Sequence, residues 1–468
     1  MNFPSVRHLL AASILLASLG LTSCEKPLEV TPRASLDSTD GLQTRQDAEA
    51  ALRGCYDALQ SANYLGLRYQ LFADLGSDNA RHTGTFPTFA QIAQNQILPD
   101  NTELSAMWNA IYSGINRCNY VIEQVQKIDD PAFNKASVTA EAQALRAFNY
   151  MNLLGYWGGT PAGYGYPDGL GVPLRLEATT SINGEQIKPK ARATEAEVNA
   201  AIRADLTAAA ANIAAQGTKA RLSKGAILAL RARFELRLRN YADAADFAAQ
   251  AIAALPAVTL EGEYNNIFAQ KFSNESIWEL PFDAVDSNSL AFFWFPAANG
   301  GRNEVDPATG LGPAHEAGDK RLNVNVVTAA TAQLPSYPSG TTRKYFRVAA
   351  GDDQPILMRL GEVILTRAEA LAQTGNLATA LTLVNQIRTR AGLPVLATTL
   401  TQAQLITAIL RERRIELANE GIRWFDLRRT NTVQATLPAV TQTFRNLWPI
   451  PIREIQTTSN LVVQNPSY

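Results

Sequence analysis

The stretch Ala229-Leu-Arg-Ala-Arg-Phe-Glu-Leu-Arg-Leu-Arg-Asn-Tyr-Ala-Asp-Ala244 returns in the same register as Leu365-Thr-Arg-Ala-Glu-Ala-Leu-Ala-Gln-Thr-Gly-Asn-Leu-Ala-Thr-Ala380. Ala229, Ala232 and Leu236 align with Leu365, Ala368 and Ala372. The turn residues Asn240 and Asn376 coincide, and Gln250 falls on Gln386. Spacings of three and four residues are those of a helix face, so each copy reads as helix, tight turn, helix with small residues where the helices touch. Such hairpins cannot bury their apolar faces alone and stack on neighbours, which predicts a tetratricopeptide-like scaffold. Ala-rich amphipathic hairpins also resemble one another by composition; the fixed register favours true repeats.

Working outward, Ala48, Leu52, Cys55 and Leu59 continue the helical period, as do Leu104, Met107, Ile111, Ile115, Tyr120 and Val121. Ala140 to Tyr156 is apolar nearly all round, as a helix packed on several sides would be. Between these helices, Asn63 to Thr102 reads as a loop too long for a mere connector, and Thr160 to Pro173 as another. Tyr264 to Gln354 is rich in aromatics, Asn, Gly and Pro, with short strand-like pieces. The expected fold is mainly α: a scaffold of helical hairpins whose long loops and short-strand insert form a binding surface.

At the N-terminus, Arg7 precedes an apolar run from Leu9 that closes on Leu21, Thr22, Ser23 and Cys24. This has the three parts of a secretory signal, and a cysteine directly after the small residues marks lipoprotein maturation, in which the thiol is acylated and the chain cut before it. The run falls short of the roughly 20 residues a membrane helix needs. Glu25 to Asp37 then reads as a tether. The 468 residues, 46% of them hydrophobic, can bury a large core. A formal net charge of −1 leaves no electrostatic footprint for nucleic acid. Export would permit a bridge between Cys55 and Cys118, although buried free thiols are commoner in packed helices. The histidines, His8, His82 and His315, are too scattered for a zinc cluster.

Three blocks carry a family resemblance: Arg146-Ala-Phe-Asn-Tyr-Met-Asn-Leu-Leu-Gly-Tyr-Trp-Gly-Gly-Thr-Pro161, Glu412-Arg-Arg-Ile-Glu-Leu-Ala-Asn-Glu-Gly-Ile-Arg-Trp-Phe-Asp-Leu-Arg428, and Trp448-Pro-Ile-Pro-Ile-Arg-Glu454 with Gln464-Asn-Pro466. Together they resemble the SusD/RagB family. Asp47 to Tyr56, a strand at Asn274 to Leu280, and Met358 to Ala370 look like further blocks of it. The resemblance implies a lipid-anchored outer-membrane protein facing the cell exterior, which captures nutrient, usually a glycan, and acts as a lid on a TonB-dependent, SusC-like barrel. Peptide capture is the alternative within the family. The residues after Cys24 are Glu25, Lys26 and Pro27, so outward exposure is implied by the resemblance and not by an acidic run. The expected organisation is a signal peptide over 1–23, lipidated Cys24 and tether over 24–45, an N-terminal helical part over 46–260, and a C-terminal part over 261–468 with its insert at 261–355, interlocked as one unit.

Glu412, Glu416 and Glu420 lie four apart and share a helix face. With Arg413, Arg423 and Asp426 they read as a structural charge network, because interleaved arginines hold carboxylates ionised whereas a glycosidase raises one of a pair across a cleft. Arg146 and Arg359 read as pins between helices. No nucleophile elbow, phosphate loop or metal-ligand spacing appears, so neither cofactor nor metal is expected and binding is favoured over catalysis. A lipoprotein glycan hydrolase and a periplasmic protein-binding scaffold are the readings from other classes. Sugars are held by flat rings plus a few directed hydrogen bonds. The candidates are Tyr64 and Tyr69, with Phe72 beside them and Asp78, Asn79 and Arg81 as polar partners, and Phe292 and Trp294 with Arg302. If Leu290 to Phe295 is a strand, Phe292 and Trp294 share a face, and Trp294 is the first choice for a displayed ring. For any single aromatic the core remains the commoner place.

The anchor is directly testable. Cys24→Ala should abolish labelling by a fatty-acid probe in cells and leave misprocessed protein, and equal labelling of parent and variant would remove the lipoprotein assignment.

Overall fold

The computed structural model describes residues 41–181, 184–215 and 217–468. The signal segment, Cys24 and the Glu25 to Asp37 tether lie outside the described residues.

Helix α1 (Arg45–Gln60) opens on a capping box in which the Thr44 side chain accepts from the Asp47 N–H and Asp47 answers the Thr44 backbone, satisfying donors that a helix start leaves free. Ala48, Leu52, Cys55, Tyr56 and Leu59 form its buried face. The segment read as one loop from Asn63 is largely structured: it holds α2 (Arg68–Leu75), β1 (Ala80–His82) and α3 (Pro87–Ala93). Every residue of α2 from Tyr69 to Leu75 is buried, so no polar face alternates with an apolar one and periodicity gives no signal. Helices α4 (Thr102–Gln124) and α5 (Lys135–Trp157) follow, α5 being buried along almost its whole length. Arg146 on α5 grips Asp205 on α6 (Glu195–Asn212) through two contacts of 2.8 Å.

The repeated stretches form two hairpins. One is α7 (Lys224–Arg237) and α8 (Tyr241–Ala253), turning at Arg239 with φ +62° before Asn240. The other is α9 (Leu360–Gln373) and α10 (Leu377–Arg390), turning at Gly375 with φ +88°, where Asn376 caps Thr379. Leu236, Ala244, Ala245 and Ala370 join one hairpin to the next in a small core of their own. Helix α11 (Gln402–Glu416) packs on α9 and α10 through Leu405 and Ile409, and α12 (Arg423–Arg429) follows the turn at Gly421.

Strands are short and occur as three antiparallel pairs: β1 with β5 (Val305–Pro307), β2 (Leu170–Pro173) with β3 (Arg192–Thr194), and β4 (Ser276–Glu279) with β6 (Ile356–Arg359). The loop after α5 therefore ends in β2. The segment expected to be a strand at Leu290 to Phe295 is a short helix, Leu290–Trp294. Cys55 and Cys118 are buried free thiols; burial pushes the Cys118 thiol up, the neighbouring Cys55 adds to it, and the pair is not bridged.

A buried ionic network closes the C-terminal half. The Glu416 carboxylate meets Arg359 at 2.6 Å, Arg321 at 3.0 Å and Arg390. Arg359 also reaches Glu275 at 2.7 Å and Glu420 at 2.8 Å, while Arg321 binds Asp319 and Glu412 and Lys344 binds Glu420. Arg413 joins Asp426 at 2.8 Å. Gly361 makes room for these groups, since a Cβ there would stand 2.6 Å from Arg359 Nη1 and 2.9 Å from Glu416 Oε1.

Burial alone would raise Glu416, but Arg390, Arg359 and Arg321 hold it well below the usual carboxylate range. Asp426, likewise opposed by burial, is held to about 2 by Arg413 and Arg429. A depressed folded pKa adds stability above the unfolded value of about 4 that is lost as pH falls below it. Burial raises Asp74 and Glu279 to about 7 each; their contribution is full below about 4 and is lost as pH rises through 7. Stability should therefore fall on both sides of a maximum near pH 4 to 5. Glu416→Gln should lower unfolding free energy by about 3 to 5 kcal/mol by stranding buried arginines and should flatten the acid limb; an unchanged denaturant midpoint from pH 3 to 8 would show the network to be dispensable.

Candidate binding surface

The two loop-rich regions meet at the β1–β5 ladder. Arg81 stands opposite Asp306 and His82 opposite Val305, and the pairing extends through the Thr83 and Gly84 N–H groups to the Glu304 carbonyl at 3.0 and 3.2 Å. Glycine is required at 84, where a Cβ would lie 2.3 Å from Glu304 Oε2. The chain after the Leu290–Trp294 helix folds back on it: the N–H groups of Arg302 and Glu304 donate to the carbonyls of Phe292 and Phe293 at 2.7 and 3.0 Å. These bonds set Phe292, Arg302 and Arg81 on one surface.

Phe292 is 40% exposed. Phe293 lies beneath it, edge-on at 5.9 Å and stacked on Phe89 at 5.5 Å. Arg302 lays its guanidinium 3.7 Å from the centre of the Phe86 ring and donates to Glu304 at 3.1 Å. A guanidinium held flat on an aromatic face keeps outward donors in a fixed plane. Glu304 is the hub, accepting from the Phe86 N–H at 2.7 Å and meeting His82 Nε2 at 2.8 Å. Burial opposes its charge, but the Phe86 N–H, His82, the Thr85 N–H and Arg302 outweigh it and hold the carboxyl below its ordinary value. Burial raises Asp306, with its Arg81 partner pulling the other way.

The remaining candidates are placed elsewhere. Tyr64 is fully buried and donates to Asn149 at 2.8 Å. Tyr69 is packed edge-on against Tyr64 and Tyr156 and stacked on Phe425; both tyrosines sit in the core because the segment carrying them folds as α2 and the turn before it. Phe72 is buried against Phe89 and Trp448. Asp78 binds Arg414 and Arg423, and buried Asn79 bridges Asp74 and Arg414, so both are anchors. Trp294 is only 1% exposed and stacks on Tyr345 at 6.4 Å. It cannot be the displayed ring, because helix positions two apart point about 200° away from one another and Phe292 takes the outward side. Arg423 pairs with Asp78, while Glu412, Glu416 and Glu420 belong to the buried network.

Sequence reasoning missed His82, Thr85, Phe86, Glu304 and Asp306. The available signal was a pair of Gly-flanked charged segments, Arg81-His-Thr-Gly84 and Gly301-Arg-Asn-Glu304, whose pairing only the tertiary structure supplies. Among the described residues no group of three His, Cys, Asp or Glu side chains is arranged to hold a metal, and no helix is long and apolar enough to cross a membrane.

Comparison with known proteins places the chain in a family. Residues 28–236 match the family model described as starch-binding and associating with the outer membrane, and residues 329–442 match the SusD family model. The chain belongs to the SusD/RagB family. SusD-like proteins P38 and P2 of Formosa agariphila are 28% and 26% identical to it, over 94% and 96% of this chain and 95% and 98% of theirs. Among solved structures, a laminarin-binding SusD-like protein superposes with a TM-score of 0.76 at 23% identity, covering 91% of this chain and all of the other (100%). A SusD-superfamily protein of Bacteroides vulgatus gives 0.79 at 20% identity over 90% of this chain and 99% of its own. These likenesses carry the fold: mainly helical, with few short strands.

Proposed function

We propose that this protein is a nutrient-capture lipoprotein, anchored through Cys24 to the outer membrane with its fold outward, that binds a glycan on the β1–β5 surface and delivers it to a TonB-dependent barrel. The observation that carries the reading is Phe292, an exposed ring fixed beside a ring-stacked arginine on a ladder that the surrounding helices hold rigid. A sugar presents its C–H face to such a ring and its hydroxyls to Arg302, Arg81 and Asp306. Family membership supports it, as does the existence of a laminarin-binding structural relative.

Binding rather than turnover suits the carboxylates at this surface. Glu304 and Asp306 have proton affinities pushed apart, the feature expected of an acid–base pair. Yet Glu304 is buried under three donors and Asp306 is tied to Arg81, so neither carboxyl stands free beside a scissile bond.

Phe292→Ala should weaken binding of a glycan from a laminarin, starch and peptide panel by about five-fold or more, the order of one ring stack, with little change in melting temperature. Trp294→Ala should do the reverse, losing about 3 to 5 kcal/mol of stability. Unchanged affinity in Phe292→Ala would dismiss the ladder, and binding confined to peptides would transfer the reading to peptide capture. Delivery is tested separately: gentle purification from outer membrane should bring down a large β-barrel partner, and recovery of the chain alone where that barrel is expressed would count against it.

A further inference from the structure

A second cavity, sharing no residue with the ladder, opens where α6 begins and α7 ends. It encloses about 390 Å³, within the roughly 300 to 1,000 Å³ of small-ligand clefts. Its wall holds two acceptors without protein partners, Glu195 Oε2 and Asn199 Oδ1. Both side chains are buried, at 1% and 4% exposure, and they stand four residues apart on α6. Buried acceptors are seldom left unmatched. The other Glu195 oxygen takes the Gly165 N–H at 2.8 Å, which fixes the carboxylate. Gly169 leaves the space beside Oε2 open, as a Cβ there would stand 2.1 Å from it.

The rim completes an amphipathic site. Tyr166, 36% exposed, is backed by the Arg239 guanidinium 4.3 Å from its ring centre. Arg203 also lines the cavity while its Nε and one Nη hold Glu235 at 2.9 Å, so its charge is already matched. An anion would meet Glu195 and find no unpaired cation on the lining. A cation would meet a carboxylate that burial raises above its ordinary value. What remains is a neutral donor-rich molecule with a flat apolar face.

We propose that this cavity is a second binding subsite for a neutral sugar residue, whose vicinal hydroxyls donate to Glu195 Oε2 and Asn199 Oδ1 and whose ring lies against Tyr166. It stands independently of the ladder reading. Ala196 offers a clean block, since it lines the cavity from an exposed helix position, where a large side chain fills the space without entering the core.

The test uses the mature full chain and saturation-transfer NMR with calorimetry against glucose, mannose, galactose, maltose, cellobiose and laminaribiose. The Phe292→Ala protein should keep binding at least one of these, and adding Ala196→Trp or Tyr166→Ala should weaken that binding at least five-fold, with the melt of Ala196→Trp unchanged. Failure of every probe to bind Phe292→Ala, or binding unaltered by Ala196→Trp, overturns the subsite. A parent whose affinity is untouched by Phe292→Ala but abolished by Ala196→Trp would overturn the ladder and keep this site.

Discussion

Glu416 and Arg359 meet at 2.6 Å with both side chains excluded from water, and much of the C-terminal architecture depends on that contact. Taking either charge out of water costs several kcal/mol, and the pair is tolerable only because further groups complete it. Those groups come from far apart in the chain: Glu275 before β4, Arg321 and Lys344 in the insert, Arg390 at the end of α10 and Glu420 in the turn after α11. The insert is thereby pinned to the helices at several points, where apolar packing alone would specify the arrangement less strictly.

The same helix carries the constraint to the ladder. Arg414, next but one before Glu416, reaches the Asp78 carbonyl and the Asn79 side chain at 2.9 and 3.1 Å. The Gly421 N–H donates to Asp74 at 2.6 Å, and Asp74 in turn receives Asn79. Residue 421 has φ +76° and its Cβ would stand 2.6 Å from Gln70 Cα, so glycine is demanded there on both grounds. Asn79 immediately precedes β1 and its carbonyl accepts the Ala308 N–H just after β5. The position of Arg81 against Asp306 is thus fixed from beneath by charges that never reach the surface.

How far the sequence could be read follows from which contacts are local. The turns at Asn240 and Asn376, the Thr44 cap and the shared face of Glu412 and Glu416 are relations within a few residues, and each is visible as spacing. The span from Leu290 to Phe295 was not legible because an unbroken apolar run suits a buried strand and a buried helix equally. Its helix is set by the return of Arg302 and Glu304 onto Phe292 and Phe293. Tyr64 and Tyr69 carry hydroxyls that suit a ligand, yet a tyrosine whose hydroxyl finds Asn149 can be wholly interior. Arg81, Phe292 and Arg302 were legible as residue types, but what joins them is a pairing across more than two hundred residues that no local period encodes.

A surface assembled in this way has little to reorganise when a ligand arrives. Phe292 rests on Phe293, which rests on Phe89, which meets Phe72 in the core, so the exposed ring is the end of a packed column and not a free rotor. Arg302 is held by Phe86 on one side and Glu304 on the other. Ordering side chains is a large part of what association costs, and here folding has already met that cost. One ring still gives a weak site, which suits a protein that must release what it catches. Where a polymer spans both the ladder and the α6–α7 cavity, the second contact becomes intramolecular and avidity rises without a tighter grip on any single sugar. Rigid separation of two modest sites therefore reconciles retention of a long chain with release of its individual units.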